Sequence, residues 1–154
     1  MTSEIERAAL YLRDMEQSMK KISVFIKGMT LENFKNDEKT QDAVHMRLLV
    51  IGEAVTNIQQ KCGDLLERHP EIPWKAIRGM RNKIAHEYFS IMPERTWAAA
   101  KEDLPVLQAA FEKIKRSEPE LMECLQNINQ GVKASSPAAP EKSASEKSKR
   151  HRMR

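Results

Sequence analysis

The chain reads as all-α: an antiparallel four-helix bundle with a short extra helix and a disordered C-terminal tail. Three observations predict it. Apolar residues recur at alternating steps of three and four through four long segments, the period of a helix buried along one stripe. Only 5% of residues are aromatic and just five are glycine, so the strand and turn vocabulary of an all-β fold is missing. Short polar links join the segments, and helices joined in this way bury their stripes most economically as an antiparallel bundle.

The first stripe is Ile5, Ala8, Leu12, Met15, Met19, Ile22 and Ile26, with Gly28 as a C-terminal stop. It predicts a helix from Ile5 to about Lys27, with Glu6, Arg13, Glu16 and Lys20 on its wet side. The connection TLENFKNDEKT follows, in which Leu31 and Phe34 tuck back and Asp37 or Thr40 caps what comes next. A second helix, Gln41 to Lys61, carries Val44, Leu48, Ile51, Val55, Ile58 and Cys62. Gly52 inside it costs about 1 kcal/mol relative to alanine, which points to a tight helix crossing there. Beside it, Glu53 reads equally as a solvated residue or a site carboxylate.

After a turn at Asp64 to Arg68, Pro73 suits the first turn of a helix that begins near Trp74. Ile77, Met80, Ile84 and Tyr88 form its core side. The last helix, from Pro93 or Glu94 to about Lys115, carries Trp97, Ala100, Leu104, Leu107, Phe111 and Ile114. Within it, Pro105 should bend the axis and free one carbonyl four residues back. Periodicity fades after Glu118, where Leu121, Met122 and Leu125 either extend the last helix or form a short amphipathic piece. The expected division is a helical domain over 1–117 and a mostly disordered basic tail over 118–154, Ser-, Ala-, Pro- and Lys-rich from Gly131.

The composition is 40% hydrophobic and 31% charged, with no run near the roughly 18 apolar residues that span a bilayer. The opening MTSEIERAAL mixes acids and bases where an export signal would place a basic region and then an apolar run. With only two cysteines, Cys62 and Cys124, both read as free thiols, the expected compartment is the reducing cytoplasm. The net charge of +4 divides unevenly: residues 132–154 hold seven basic and two acidic groups, leaving 19 and 20 in residues 1–131. A broad basic face is the usual footprint of nucleic-acid binding. Any RNA handling by the helical domain must therefore rely on a local patch.

The sharpest local feature is RNKIAHEYF, Arg81 to Phe89. At 100° per residue, His86 points about 180° from the Ile77 stripe, and Asn82 shares its face. Arg81 lies about 140° from His86 around the same axis. Three arrangements bring them to one site: a distortion near Ala85, an arginine side chain that wraps around, or a second copy of the segment across a two-fold axis. The face carrying Gly79, Asn82 and His86 favours the third, a homodimer with both motifs facing a shared cleft.

The spacing Arg, four residues, His, one residue, Tyr, met here by Arg81, His86 and Tyr88, is the mark of the HepT-like branch of the HEPN superfamily. The text around it matches too, in RLLVIGEAV at Arg47 to Val55, IPWKAIRGMRNKIAHEYF at Ile72 to Phe89, and the Trp97 to Leu107 stretch with its Leu-Pro. Residues 1 to about 117 resemble that family, and the tail lies outside the resemblance. The resemblance implies a metal-independent endoribonuclease without cofactors, usually homodimeric, acting as the toxin of a toxin–antitoxin pair. It makes Arg81 and His86 the catalytic pair with Asn82 in support. It also makes Tyr88 the residue to which a minimal nucleotidyltransferase antitoxin of the MntA type attaches AMP.

The chemistry fits these residue types. RNA carries its own nucleophile, the 2′-hydroxyl, and needs a base, an acid and a cation on the phosphorane. Histidine serves as base or acid near neutrality, and arginine grips two phosphate oxygens at once. His45, His69 and His86 lack the spacing with Cys or Asp that a metal site requires, so none is expected. A different class of function stays open: a non-catalytic helical protein that binds nucleotide or substrate for a nucleotidyltransferase. The balanced charge of residues 1–131 favours that reading, and the intact Arg, Asn and His favour the enzyme.

Overall fold

The computed structural model describes residues 3–135, with side chains described to Gly131. All regular structure among these residues is helical. Helix α1 (Glu4–Phe25) starts at a capping box: the Ser3 hydroxyl accepts from the Glu6 N–H, and the Glu6 carboxylate accepts from the Ser3 N–H. Gly28, at φ 75, ends that segment in the left-handed conformation expected of a glycine stop. The connection after it contains a short helix, α2 (Leu31–Lys35), which seals Phe34 completely while leaving Leu31 exposed. Asp37, not Thr40, caps α3 (Glu38–Lys61), accepting from the Thr40 N–H.

The turn expected at Asp64 to Arg68 is a short helix, α4 (Gly63–Arg68), followed by α5 (Trp74–His86), a 3-10 turn (Tyr88–Ser90) and α6 (Pro93–Ala98). The bend expected from Pro105 takes the form of a π turn over Ala99–Asp103, after which α7 (Leu104–Ser117) continues. Proline has no N–H to offer the Lys101 carbonyl, and the wider turn accommodates that loss without breaking the helix. Helix α8 (Pro119–Ser135) buries Leu121 and Leu125 in the main core, so order extends well past the expected boundary at residue 117. The tail from residue 136, including its basic end, lies outside the described residues.

Side-chain contacts fix the directions of the helices. Cys62 at the end of α3 reaches the Glu4 carbonyl at the start of α1, so those two run antiparallel. Between α1 and α7, Glu16 meets Lys115 at 2.8 Å and Ser23 meets Gln108 at 3.4 Å, again an antiparallel pair. Leu12, Met15 and Ile22 of α1 interlock with Val44, Val55 and Ile58 of α3 and with Phe111 and Ile114 of α7 in one continuous core. Arg68 and His69 close one end by sharing the Glu118 carboxylate at 2.8 and 3.1 Å. The ion pair with Arg68 holds Glu118 below the usual carboxylate range.

Candidate active site

The site is built where α5 crosses α3. A Cβ added to Gly52 would fall 2.1 Å from the Arg81 Cβ, so the glycine of α3 is what lets the Arg81 backbone approach. The tight crossing expected at Gly52 is real, and the residue it admits is the motif arginine. Held there, Arg81 runs along α3: one guanidinium nitrogen lies 3.0 Å from the Glu53 carboxylate, and another donates to the Asn82 side-chain oxygen at 3.0 Å. Glu53 is thus in direct contact with the site. Its side chain is 52% exposed and that of Arg81 31%, so the pair sits in water-like surroundings. Such pairs contribute about 0–1 kcal/mol, little enough for a phosphate to displace the carboxylate.

Helix α5 stays regular to its last residue, His86, so no distortion near Ala85 turns the two residues toward each other. The arginine reaches part of the way around α5, since its guanidinium bridges Glu53 of α3 and Asn82, which shares the face of His86. His86 and Asn82 are both exposed on the outward face. Within one copy of the chain, the backbone positions of Arg81 and His86 keep their separation of about 140° around the helix.

Tyr88 departs from the expectation that it continues the core side of α5. The helix ends at His86, Glu87 adopts φ −129 and ψ 33, and the chain enters a 3-10 turn. Tyr88 is consequently off the helical register and 41% exposed. Its hydroxyl donates to the Asp42 carboxylate, which pushes the phenol above its ordinary range by holding the proton on it. Its ring stands edge-on to His45 with centroids 5.4 Å apart. His45 is buried, pairs its Nε2 with the Thr96 hydroxyl at 2.7 Å, and leaves Nδ1 without a partner. Burial lowers its pKa, outweighing the opposite pull of Asp42.

Asp42, His45 and Thr96 were not singled out by spacing, yet a signal existed. Seven residues back along α3 from Gly52 is His45, and the antiparallel run of α5 along α3 carries the chain after Arg81 toward that end of α3. Because Asp42 and Glu53 are eleven residues apart, their backbones lie about 16 Å apart along α3. The Tyr88 hydroxyl and the Arg81 guanidinium consequently occupy opposite ends of the crossing. Among the described residues, no helix is long and apolar enough to cross a membrane.

An all-α bundle that presents Arg81 and His86 from one helix is the arrangement expected of a HEPN ribonuclease. The family model described as ribonuclease HepT-like matches residues 15–114, and the chain belongs to that family. A Thermococcus cleftensis protein named "Probable ribonuclease HepT" is 40% identical over 106 residues, covering 69% of this chain and 94% of its own. A Methanocaldococcus jannaschii protein named as a candidate RNase is 43% identical over 91 residues, 59% of this chain and 71% of its own. Another so named, from Caldanaerobacter subterraneus, is 32% identical over 108 residues, 70% and 94% of the two chains. No solved structure matches the chain.

Proposed function

We propose that the protein is a cytoplasmic, metal-independent endoribonuclease that works as a homodimer. In this reading it is the toxin of a toxin–antitoxin pair, silenced when a minimal nucleotidyltransferase adenylylates Tyr88. The observation that carries the reading is the outward placement of His86 and Asn82 on a helix whose Arg81 is seated by Gly52 against α3. The divergence of Arg81 and His86 on an unbroken helix supports the dimer, since two copies facing each other supply one site with groups from both motifs.

In that shared cleft one His86 takes the proton of the 2′-hydroxyl as its oxygen bonds to the adjacent phosphorus. The second copy's His86 gives a proton to the departing 5′-oxygen. Arg81 leaves Glu53 to hold the non-bridging oxygens, whose charge grows in the transition state. The products carry a 2′,3′-cyclic phosphate and a free 5′-hydroxyl. Tyr88 suits an acceptor role because it is exposed and its proton already points at a carboxylate, Asp42, able to receive it. An adenylate on Tyr88 adds bulk and negative charge two residues from His86 and closes the cleft to another phosphate.

The balanced charge of residues 1–131 supports a second reading, a silent binding partner of a nucleotidyltransferase. One experiment separates the two. Unmodified protein is incubated with mixed RNA in EDTA beside His86→Ala and Arg81→Ala. Cleavage by the wild type, lost in both variants, is the expected result. Intact RNA after incubation with a folded dimer, shown by mass to lack adenylate on Tyr88, would sink the enzyme reading.

A further inference from the structure

The polar side of α5 continues beyond the motif. Lys75, Arg78, Asn82 and His86 follow one another at steps of three, four and four, which keeps them within about 80° of arc on one helix face. Across from the first half of this stripe stand Thr56, Gln59 and Gln60 of α3, and the two helices enclose an open groove of about 680 Å³ that runs into Arg81 and Asn82. Neither Lys75 nor Arg78 takes part in an ion pair among the described residues. The Arg78 Nε is shut off from solvent and has no hydrogen-bond partner. Being shut off, that nitrogen is beyond a ligand's reach, and it is the outer part of the half-buried Arg78 side chain that the groove offers. Glu53 is the only acid lining the groove, and it is engaged with Arg81.

We propose that this groove is a phosphate-binding subsite that holds a single RNA strand to one side of the bond to be cut. The proposal rests on the ribonuclease reading and deepens it. Lys75 and Arg78 meet successive backbone phosphates, and the amides of Gln59 and Gln60 are available to sugar and base edges. At Gly79 nothing lies within 4 Å of where a Cβ would be, so the strand can approach the α5 backbone itself. The groove supplies the local patch that a domain with 19 basic and 20 acidic groups needs in order to bind RNA. Binding in it feeds the phosphate next in line toward Arg81 and His86.

The test uses the full chain carrying His86→Ala, which holds RNA without cutting it, and a fluorescent single strand of about 16 nucleotides. Anisotropy titrations across a range of salt give affinity and salt slope, before and after adding Lys75→Gln with Arg78→Gln. The expected result is a loss of about tenfold in affinity and a log–log salt slope shallower by about 1.4, or about 0.7 for each phosphate contact. Gly79→Leu, a change a helix tolerates, should weaken binding by obstruction while leaving the charge intact. Tight binding by the parent, with unchanged affinity and slope in the variants, overturns the groove and leaves the ribonuclease reading standing. Variants that keep their RNA affinity but lose self-association in the ultracentrifuge also overturn it, assigning the groove to the subunit interface. A parent that binds no RNA, with a wild type that cuts none, overturns both.

Discussion

Helices α1 and α5 make opposite use of the same local code. Seven of the 22 residues of α1 are buried, it begins at a reciprocal capping box, and it packs against α3, α7 and α8. Helix α5 buries only Trp74 and Ile84 among its 13 residues, has no side-chain cap, and packs chiefly on α3. Behind it the chain leaves Tyr88 at 41% exposure and Phe89 fully exposed. One helix is devoted to holding the bundle together. The other is held on one side only, which leaves its remaining faces free for a ligand or a second copy. The groups proposed to be functional gather on the helix that the core does not consume.

That contrast is breakable at four points. The largest effect belongs to His86→Ala, which should cut RNA cleavage by about 10²–10⁴-fold while shifting stability by no more than about 0.5 kcal/mol; activity assays beside urea titrations check both. Leu12→Ala should do the reverse. It empties a fully buried position of α1 and costs about 2–5 kcal/mol of stability, while the fraction still folded keeps its specific activity. A stability loss for His86→Ala as large as that for Leu12→Ala would erase the distinction between the helices.

Gly52→Ala joins the two regions. Its new methyl overlaps the Arg81 side chain, so α5 must move away from α3, at a cost of about 1–3 kcal/mol and with a fall in activity larger than that stability loss explains. Full activity in this variant would show that the seating of Arg81 is not needed. The smallest effect is with pH. Burial lowers the His45 pKa, so below the ordinary imidazole value of about 6.5 the unfolded chain binds a proton that the folded chain refuses. Stability should therefore fall as pH drops below about 6.5, down to the depressed folded pKa. Urea titrations of His45→Gln across that range should show a flatter dependence, and an unchanged slope would remove His45 as the cause.

Much of this was legible before any coordinates. The stripes of α1, α3 and α7 announced themselves because a helix buried along one side needs an apolar residue every three or four positions. The Gly28 stop, the Gly52 crossing and the effect of Pro105 were legible because glycine and proline constrain the backbone directly. Helix α8 was legible only as one of two alternatives, and its length not at all, because its core residues, Leu121 and Leu125, are too few to establish a period by themselves. Tyr88 was misplaced for a related reason: nothing in HEYFS marks the helix end with glycine or proline, so the extrapolated stripe ran past His86 into the turn.

The sequence by itself determined the fold class, the crossing glycine and the spacing of Arg81, His86 and Tyr88, all of which depend on residues near one another along the chain. Only the tertiary structure decided that Arg81 lies on Glu53, that Tyr88 rests on Asp42 and His45, and that Lys75 and Arg78 share a groove with Gln59. These are contacts between helices, and they depend on where α5 crosses α3 and at what register. Helical period alone says which face of a helix is wet; it takes the packed neighbour to say what that face looks onto.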